Sequence, residues 1–415
     1  MQAQIITIGD ELLIGQVVDT NSAFMAEQLN SYGIELNEIV SVHDDAEQII
    51  SALEDALGRV DVVLLTGGLG PTNDDITKLT LCRFFSTRLV ESEEVKKHIS
   101  ELYAHRPEVF NRLTATQWQV PENALILPNS VGSAPLMVWT IEKDGRKQWV
   151  CSMPGVPYEM EIAMREQILP YLSRQIGAHA HIVHRTVIVY GIPESKLALQ
   201  ISDWEKALPK TMHLAYLPKD GIVRLRLSAY SGVTDEEMET QIQKLLPLLG
   251  DSVLATQDLP LEVLVGAELK RRGQTISTAE SCTGGKLAVL LNRHAGSSEF
   301  YKGSVVAYAN EVKENVLGVR EQTLSEYGAV SEQTVREMAQ GVKQLMQTDY
   351  AIATSGIAGP SGGTEQKPVG TVWIAVATPQ KTEAQCFHFG KLRDKNTDRA
   401  TLAALVKLLK ILQSE

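Results

Sequence analysis

The chain has 415 residues, 44% of them hydrophobic and 22% charged, with a formal net charge of -12. That length exceeds one ordinary core and points to two or three domains of everyday globular composition. The acidic balance argues against a dedicated nucleic-acid binder, which would carry a net basic domain or stripe. It leaves room for a small anionic ligand held by a few local donors.

Four scattered cysteines, Cys82, Cys151, Cys282 and Cys386, form no CxxC pair, so neither a zinc knuckle nor a disulfide framework is indicated. No apolar run approaches a membrane span. The N-terminal residues run straight into a strand-like segment without a basic leader or cleavage pattern. The expectation is a cytoplasmic protein with reduced thiols and no membrane partner.

In chain order, Ile5–Ile8 reads as a short buried strand ended by Gly9-Asp10-Glu11. Asp19-Thr20-Asn21-Ser22 offers N-cap residues before Met25 and Leu29. Asp44-Asp45 with Glu47-Gln48 resembles a capping-box start, followed by Ile50, Leu53 and Leu57 on one helical face. Val60–Leu65 is a near-continuous apolar run suited to a strand buried on both faces. Alternation of this kind predicts a parallel α/β domain with ligands beyond the strand C-termini. The loop there, Thr66–Thr77, carries Gly67, Gly68 and Gly70, which let backbone approach a phosphate. Asp74 and Asp75 could hold a hard divalent cation, as could Asp10 and Glu11 at the other strand end. The competing reading is a turn with Asp75 or Asn73 capping the next helix.

The composition changes near 177–181. His184–Tyr190 alternates like a strand, Gly191–Ser195 starts a helix that includes Leu197 and Ile201, and Val223–Leu227 alternates with Arg224 and Arg226 outward. A helix from Asp235 to about Leu249 closes this β-α-β-β-α unit. Arg224 and Arg226 read as a solvated strand face. His179, His181 and His184 read as linker and surface residues, since no carboxylate partners stand nearby.

From about Leu261 a helix with Val263, Ala267 and Leu269 leads to Thr278–Lys286, where a strand ends in a glycine turn and a helix begins. Ser281 and Cys282 thus sit where helix N-terminal N–H groups could hold an anion, although Ser281 or Thr283 could simply cap that helix. Strands follow at 300–308, 350–355, 370–377 and near 386–389, with helices after Ala309 and Ser331. Three loops at strand ends carry Ser281, then Tyr308 with Lys313, then Ser355. None of these loops holds a histidine, so a Ser-His-Asp triad does not fit, whereas a desolvated lysine can act as the base for a serine. Thr283-Gly284-Gly285 and Gly356–Gly359 supply N–H groups for an oxyanion or a substrate phosphate. Cys282, one residue further round, points about 100° from Ser281 and reads as packing or lining.

Gly9-Asp10-Glu11, Asp19–Ser22, Gly67–Thr72 with Asp74-Asp75, and Met153–Met160 together resemble the N-terminal domain of the CinA family (competence- and damage-inducible proteins), itself similar to molybdopterin-binding domains. The resemblance implies a three-layer α/β domain over residues 1–170, its pocket lined by Gly67, Gly68, Asp75, Pro154, Gly155 and Pro157. It also implies hydrolysis of ADP-ribose to AMP and ribose 5-phosphate with a divalent metal (Mg, Mn or Co). The loop Leu127–Leu136, with Asn129, resembles the family's substrate-side segment, but Leu136 stands where glycine is usual. Residues 178–252 resemble the family's KH-like domain; no GXXG loop stands between helices, so nucleic-acid binding is unsupported. Residues 258–415 resemble the family's C-terminal domain, also found alone as nicotinamide mononucleotide deamidase, through Thr278–Gly285, Ala307–Lys313 and Ser355–Pro360. Carried over, Ser281 is the nucleophile and Lys313 the base, with Tyr308 and Ser355 assisting. Arg393 or Arg399 would bind phosphate, and no cofactor is needed. The resemblance also implies a homodimer. The alternatives are activity in one domain alone, with the N-terminal pocket taking a pterin or another nucleotide, and a non-catalytic scaffold in competence or recombination.

Overall fold

The computed structural model describes residues 1–72, 74–105, 114–143, 145–176, 183–229 and 232–414. Asn73, His179, His181 and the composition break at 177–181 lie outside the described residues. The chain is mixed α/β and divides into two compact units, Met1–Val183 with Ala229–Val233 and His184–Ser228 with Thr234–Glu415.

In the first unit the strands are β1 (Gln2–Ile8), β2 (Glu35–Val42), β3 (Val62–Thr66), β4 (Leu89–Glu91), β5 (Gln119–Pro121), β6 (Leu125–Leu127), β7 (Leu136–Lys143) and β8 (Arg146–Met153). Six of them form a sheet in the order β2-β1-β3-β8-β7-β6. The first four are parallel, and β7 and β6 join antiparallel. Period-two alternation sends Ile5 and Leu64 into one core with Met25 and Met160. Ile6 and Leu65 go into the opposite core with Ile49 and Leu53. This is why β3 reads as unbroken apolar sequence: both faces are covered. In the helix Ala46–Leu57 the buried row is Ile49, Leu53 and Ala56. Ile50 and Leu57 flank it half-buried, because the apolar stripe is wider than the single row expected. Leu136 is fully buried at the start of β7, in the core.

The second unit contains β9 (Val183–Tyr190), β10 (Met212–Lys219), β11 (Ile222–Ala229) and β12 (Val253–Ala255), a sheet ordered β10-β11-β9-β12. The helix Asp235–Leu249 starts from a capping box of Thr234 and Glu237. The expected solvated face of β11 needs correction. Arg224 pairs with Asp258 at 3.2 Å, and the same carboxylate accepts from Thr186 Oγ1 at 3.1 Å. Beneath them Ile188, Ile222 and Leu254 share one core with Leu261, Val265 and Leu405.

The remaining strands, β13 (Ile276–Glu280), β14 (Tyr301–Val306), β15 (Tyr350–Gly356), β16 (Thr371–Ala377) and β17 (Thr382–His388), form a sheet ordered β14-β13-β15-β16-β17. The helix Leu261–Arg272 buries Leu261, Val265 and Leu269. Val263 is half-buried and Ala267 exposed on the same helix. A long helix, Arg393–Ser414, closes the fold and buries Leu405, Leu408, Leu409 and Leu412. Among the described residues no helix is long and apolar enough to cross a membrane.

Candidate functional sites

In the first unit, register places the C-terminal ends of β1, β3 and β8 side by side: Thr7 opposite Thr66, and Thr66 opposite Met153. The loops that follow pack backbone to backbone. A Cβ on Gly67 (φ +112°) would meet Ile8 O at 2.1 Å, and one on Gly155 would meet Gly67 Cα at 3.2 Å. Only glycine allows that approach. Thr66 Oγ1 donates to Pro154 O at 2.7 Å. Asn21 Nδ2 donates to Gly155 O at 2.8 Å and lies 3.3 Å from Thr66 Oγ1. Asn21 Oδ1, also buried, has no hydrogen-bond partner.

These loops enclose a cavity of about 520 Å³ whose lining includes Gly67, Gly68, Asp75, Pro154, Gly155 and Pro157, the residues the resemblance implied, together with Gly70. Six carboxylates line it as well: Glu11, Asp19, Asp44, Asp74, Asp75 and Glu159. Lysine, arginine and histidine are absent from that lining among the described residues.

Several of these carboxylates have structural work. Asp19 caps the helix Thr20–Ser31 through Ser22 N at 2.9 Å. Asp75 accepts from Gly70 N and Thr72 N, both at 2.8 Å, and from Thr72 Oγ1. It therefore ties the glycine loop to itself and does not cap the next helix, whose N-cap is Ile76 without a side-chain bond. Asn129 is buried and away from the lining; it donates to Ala134 O at 3.0 Å and to Glu159 at 2.8 Å, holding that carboxylate at the wall. Asp10 turns to His43 Nδ1 at 2.8 Å, while its backbone N–H donates to Asp44 at 3.1 Å.

Asp44, which the sequence had suggested only as a helix start, is the residue that reasoning missed. Burial raises its pKa above the ordinary 3.8, and the charges of Asp10, Glu11 and Asp74 add to the rise against the Asp10 N–H bond. Among the described residues no three metal-ligating side chains already converge on one point. The chemistry of the donor set nevertheless fits a hard divalent cation, which takes carboxylate oxygens and keeps several waters. Without such a cation, a phosphate entering this cavity would meet only like charge.

In the second unit, β13 lies between β14 and β15, both parallel to it, with Glu280 opposite Val306 and Thr354. Ser281 and Ala307 therefore leave the sheet at the same end of their strands, next to Ser355, which is still paired with Trp373 inside β15. Ser281 N donates to Thr354 O at 3.0 Å, and Ala307 N to Glu280 O at 2.8 Å. Lys313, on the helix Asn310–Asn315, is 1% exposed. Its ammonium donates to Ala307 O at 2.8 Å and Tyr308 O at 3.0 Å. Burial lowers its pKa below 10.5, opposed by the nearby Cys282 and Glu311. Ala307, whose carbonyl takes that ammonium, is bonded through its own N–H to Glu280 O, which places Lys313 beside the strand end that precedes Ser281. Cys282 itself is buried in the core, and burial pushes its thiol up to about 12, so it is unreactive.

Tyr308 is largely exposed, and its hydroxyl accepts from Arg393 Nη2 at 3.3 Å. Arg393 Nη1 donates to Gly359 O at 2.9 Å. Arg399 is exposed on the same helix, so it is Arg393 that the fold brings to the tyrosine and the Gly359 loop. Asn396 anchors that loop, donating to Ala358 O and Gly390 O, both at 2.9 Å. Ser355 Oγ donates to Ala329 O at 2.6 Å. Gly356 sits where a Cβ would meet Val372 Cγ2 at 2.6 Å.

The glycine turn after Ser281 differs from expectation. Gly284 N donates to Ser281 O at 3.2 Å, and Gly285 N donates to Glu280 Oε2 at 3.0 Å, so neither is free for an anion. Thr283 Oγ1 also donates to Glu280, at 2.7 Å, and lies 2.8 Å from Thr354 Oγ1. Neither Ser281 nor Thr283 caps the helix Lys286–Asn292, whose N-cap is Gly285. The helix start is held instead by the buried Glu280 carboxylate, which the sequence reading had passed over although it stands directly before Ser281.

Two α/β units, one with an acidic cavity beneath glycine loops and one with a buried lysine beside a serine turn, define a multidomain protein built around small-molecule sites. Three family models match it: the probable molybdopterin binding domain over residues 4–174, the damage-inducible protein CinA KH domain over 184–253 and the CinA C-terminal domain over 258–412. A CinA-like protein of Flavobacterium psychrophilum is 43% identical across 99% of this chain and 98% of its own. One of Cytophaga hutchinsonii is 44% identical across 97% and 96%. A putative competence-damage inducible protein of Clostridium beijerinckii is 38% identical across 99% and 100%. The chain belongs to the CinA family.

Proposed function

We propose that the C-terminal part of this chain deamidates nicotinamide mononucleotide to nicotinate mononucleotide and ammonia. The observation that carries this reading is Lys313: a buried ammonium with a lowered pKa, fixed by two carbonyls at the edge where Ser281 leaves the sheet. In its neutral form Lys313 takes the Ser281 hydroxyl proton as Oγ bonds to the carboxamide carbon. The C–N bond then breaks and the proton leaves with ammonia. Water cleaves the resulting ester, releasing the carboxylate and restoring the serine. Arg393 takes the phosphate and Tyr308 orients the ligand. Ammonia release from the mononucleotide tests the scheme: Ser281→Ala and Lys313→Ala should each lower kcat by about 10³-fold or more. Full activity in Ser281→Ala would sink it.

The acidic cavity favours a second activity in the first unit, hydrolysis of ADP-ribose to AMP and ribose 5-phosphate. Glu11, Asp44 and Asp74 would hold a divalent ion (Mg, Mn or Co), with Asp10 supporting Asp44 through its backbone N–H. The ion would neutralise the diphosphate and activate water. The glycine loops admit the phosphates, and Asp75 keeps their backbone in place. Turnover that ignores a chelator would refute this reading. A homodimer in the cytoplasm belongs to the same proposal, and sedimentation of the purified chain tests the assembly.

A further inference from the structure

Glu280 is the last residue of β13 and is fully buried. Five donors converge on its carboxylate. Oε2 accepts from Thr283 Oγ1 at 2.7 Å and from Gly285 N and Leu287 N, each at 3.0 Å. Oε1 accepts from Ala288 N at 2.8 Å and lies 3.5 Å from Ser304 Oγ. The side chain thus bridges the end of the strand to the first turn of the helix Lys286–Asn292, with Ser281 as the first residue inside the loop so closed. The backbone of Glu280 is pinned too, its carbonyl accepting from Ala307 N at 2.8 Å. Ser281 is therefore flanked by a residue held at both main chain and side chain.

We propose that Glu280 is a positioning residue for the Ser281 nucleophile: its buried carboxylate is a built-in anion that takes the helix-start amides and fixes the angle at which Ser281 leaves the strand. This deepens the deamidase reading and rests on it. A carboxylate suits the place because it only accepts, on both oxygens, and here backbone N–H groups face both oxygens. A glutamine fits the same volume but must turn its NH2 toward one set of those donors, whichever way it is flipped. The charge has a second consequence: it helps keep the neighbouring Cys282 thiol protonated, leaving Ser281 as the nucleophile of the turn. It also means that the substrate phosphate cannot use this helix start and must go elsewhere, to Arg393.

The test uses the full chain with Glu280→Gln, Thr283→Val and Ser281→Ala, measuring ammonia release from nicotinamide mononucleotide and labelling of Ser281 by a fluorophosphonate. Displacement of a reacting group by about 1 Å costs on the order of 10²-fold in rate. Glu280→Gln should therefore lose about 10²-fold in kcat and in labelling rate, with KM within about threefold, while its circular dichroism stays that of the parent. Thr283→Val, which removes a single donor and leaves the backbone ones, should lose about threefold to tenfold in kcat at unchanged KM. It decides the matter if Glu280→Gln fails to fold. Unchanged kcat in the variant that folds, or a loss confined to KM, overturns the positioning role while leaving the nucleophile standing. Activity surviving in Ser281→Ala overturns both.

Discussion

Arg393 reaches from the start of the closing helix to the hydroxyl of Tyr308, 3.3 Å away, while the same guanidinium donates to Gly359 O. One cation thus joins the loop after β14 to the loop after β15, which is why it takes the substrate phosphate in the proposed scheme. Arg399 lies six residues along the helix and is exposed. Arg393→Ala should raise KM for nicotinamide mononucleotide by about 10- to 100-fold, the range for losing a charge-assisted hydrogen bond. Arg399→Ala should shift it less than about twofold. Steady-state kinetics on the two variants decide between them, and equal effects would remove Arg393 from the phosphate site.

If the proposed deamidase mechanism holds, Lys313 gives it a pH dependence of defined direction. Burial disfavours its charged form, so its pKa lies below 10.5. In the proposed mechanism the neutral amine is the base, so kcat/KM should rise with pH along an acid limb that ends below the ordinary lysine range. Folding follows the same sign. Between the folded and unfolded pKa values the unfolded chain binds the extra proton, so stability contributed by this group rises with pH through that window. Lys313→Arg, whose guanidinium stays charged, should abolish the limb along with the activity. A pH–rate profile in which Lys313→Arg keeps the parent limb would assign it to another group.

Much of the fold was legible because burial dictates residue type. The runs at Ile5–Ile8 and Val60–Leu65 announce doubly covered strands, and Asp19, Asp45 and Ser331 cap the helices that follow them. The glycine loops were legible too, since backbone can approach backbone at Gly67 and Gly155 only without a Cβ. What stayed hidden depends on partners far away in sequence. Arg224 alternates like a solvent-facing residue, yet Asp258 meets it from 34 residues away. The closing helix Arg393–Ser414 was not foreseen, although its leucines repeat at helical spacing. Glu280 looked like one letter of a motif, and only the curl of the chain from strand to helix brings the amides of Gly285, Leu287 and Ala288 onto it. Hydrogen bonds of that kind leave no periodic trace.

Asp75 provides a stability prediction separate from catalysis. Its two oxygens hold Gly70 N and Thr72 N, so Asp75→Ala leaves both amides without this acceptor. Lost hydrogen bonds to a charged group should lower unfolding free energy by about 1–3 kcal/mol. Asp75→Asn should recover part of that, because one oxygen still accepts. Denaturant melts of the three proteins in chelator test the order parent, Asn, Ala, and an Ala variant as stable as the parent would show that the loop does not need the carboxylate.

Asp44 separates the metal reading from a purely structural one. Its folded pKa is raised above 3.8 by burial and by the neighbouring carboxylates Asp10, Glu11 and Asp74. In the window between the unfolded and folded values the folded chain binds the extra proton, so stability falls as pH rises through that window. At neutral pH the ionised carboxylate is therefore a liability to the metal-free fold, and Asp44→Asn should melt higher than the parent in chelator. With a divalent ion in excess the order should reverse, since binding to the folded state stabilises by mass action and the variant lacks a ligand. Thermal melts with and without Mg or Mn measure both halves. A parent protein whose melting temperature ignores the ion would leave the acidic cavity without its cation, and the ADP-ribose proposal would fall with it.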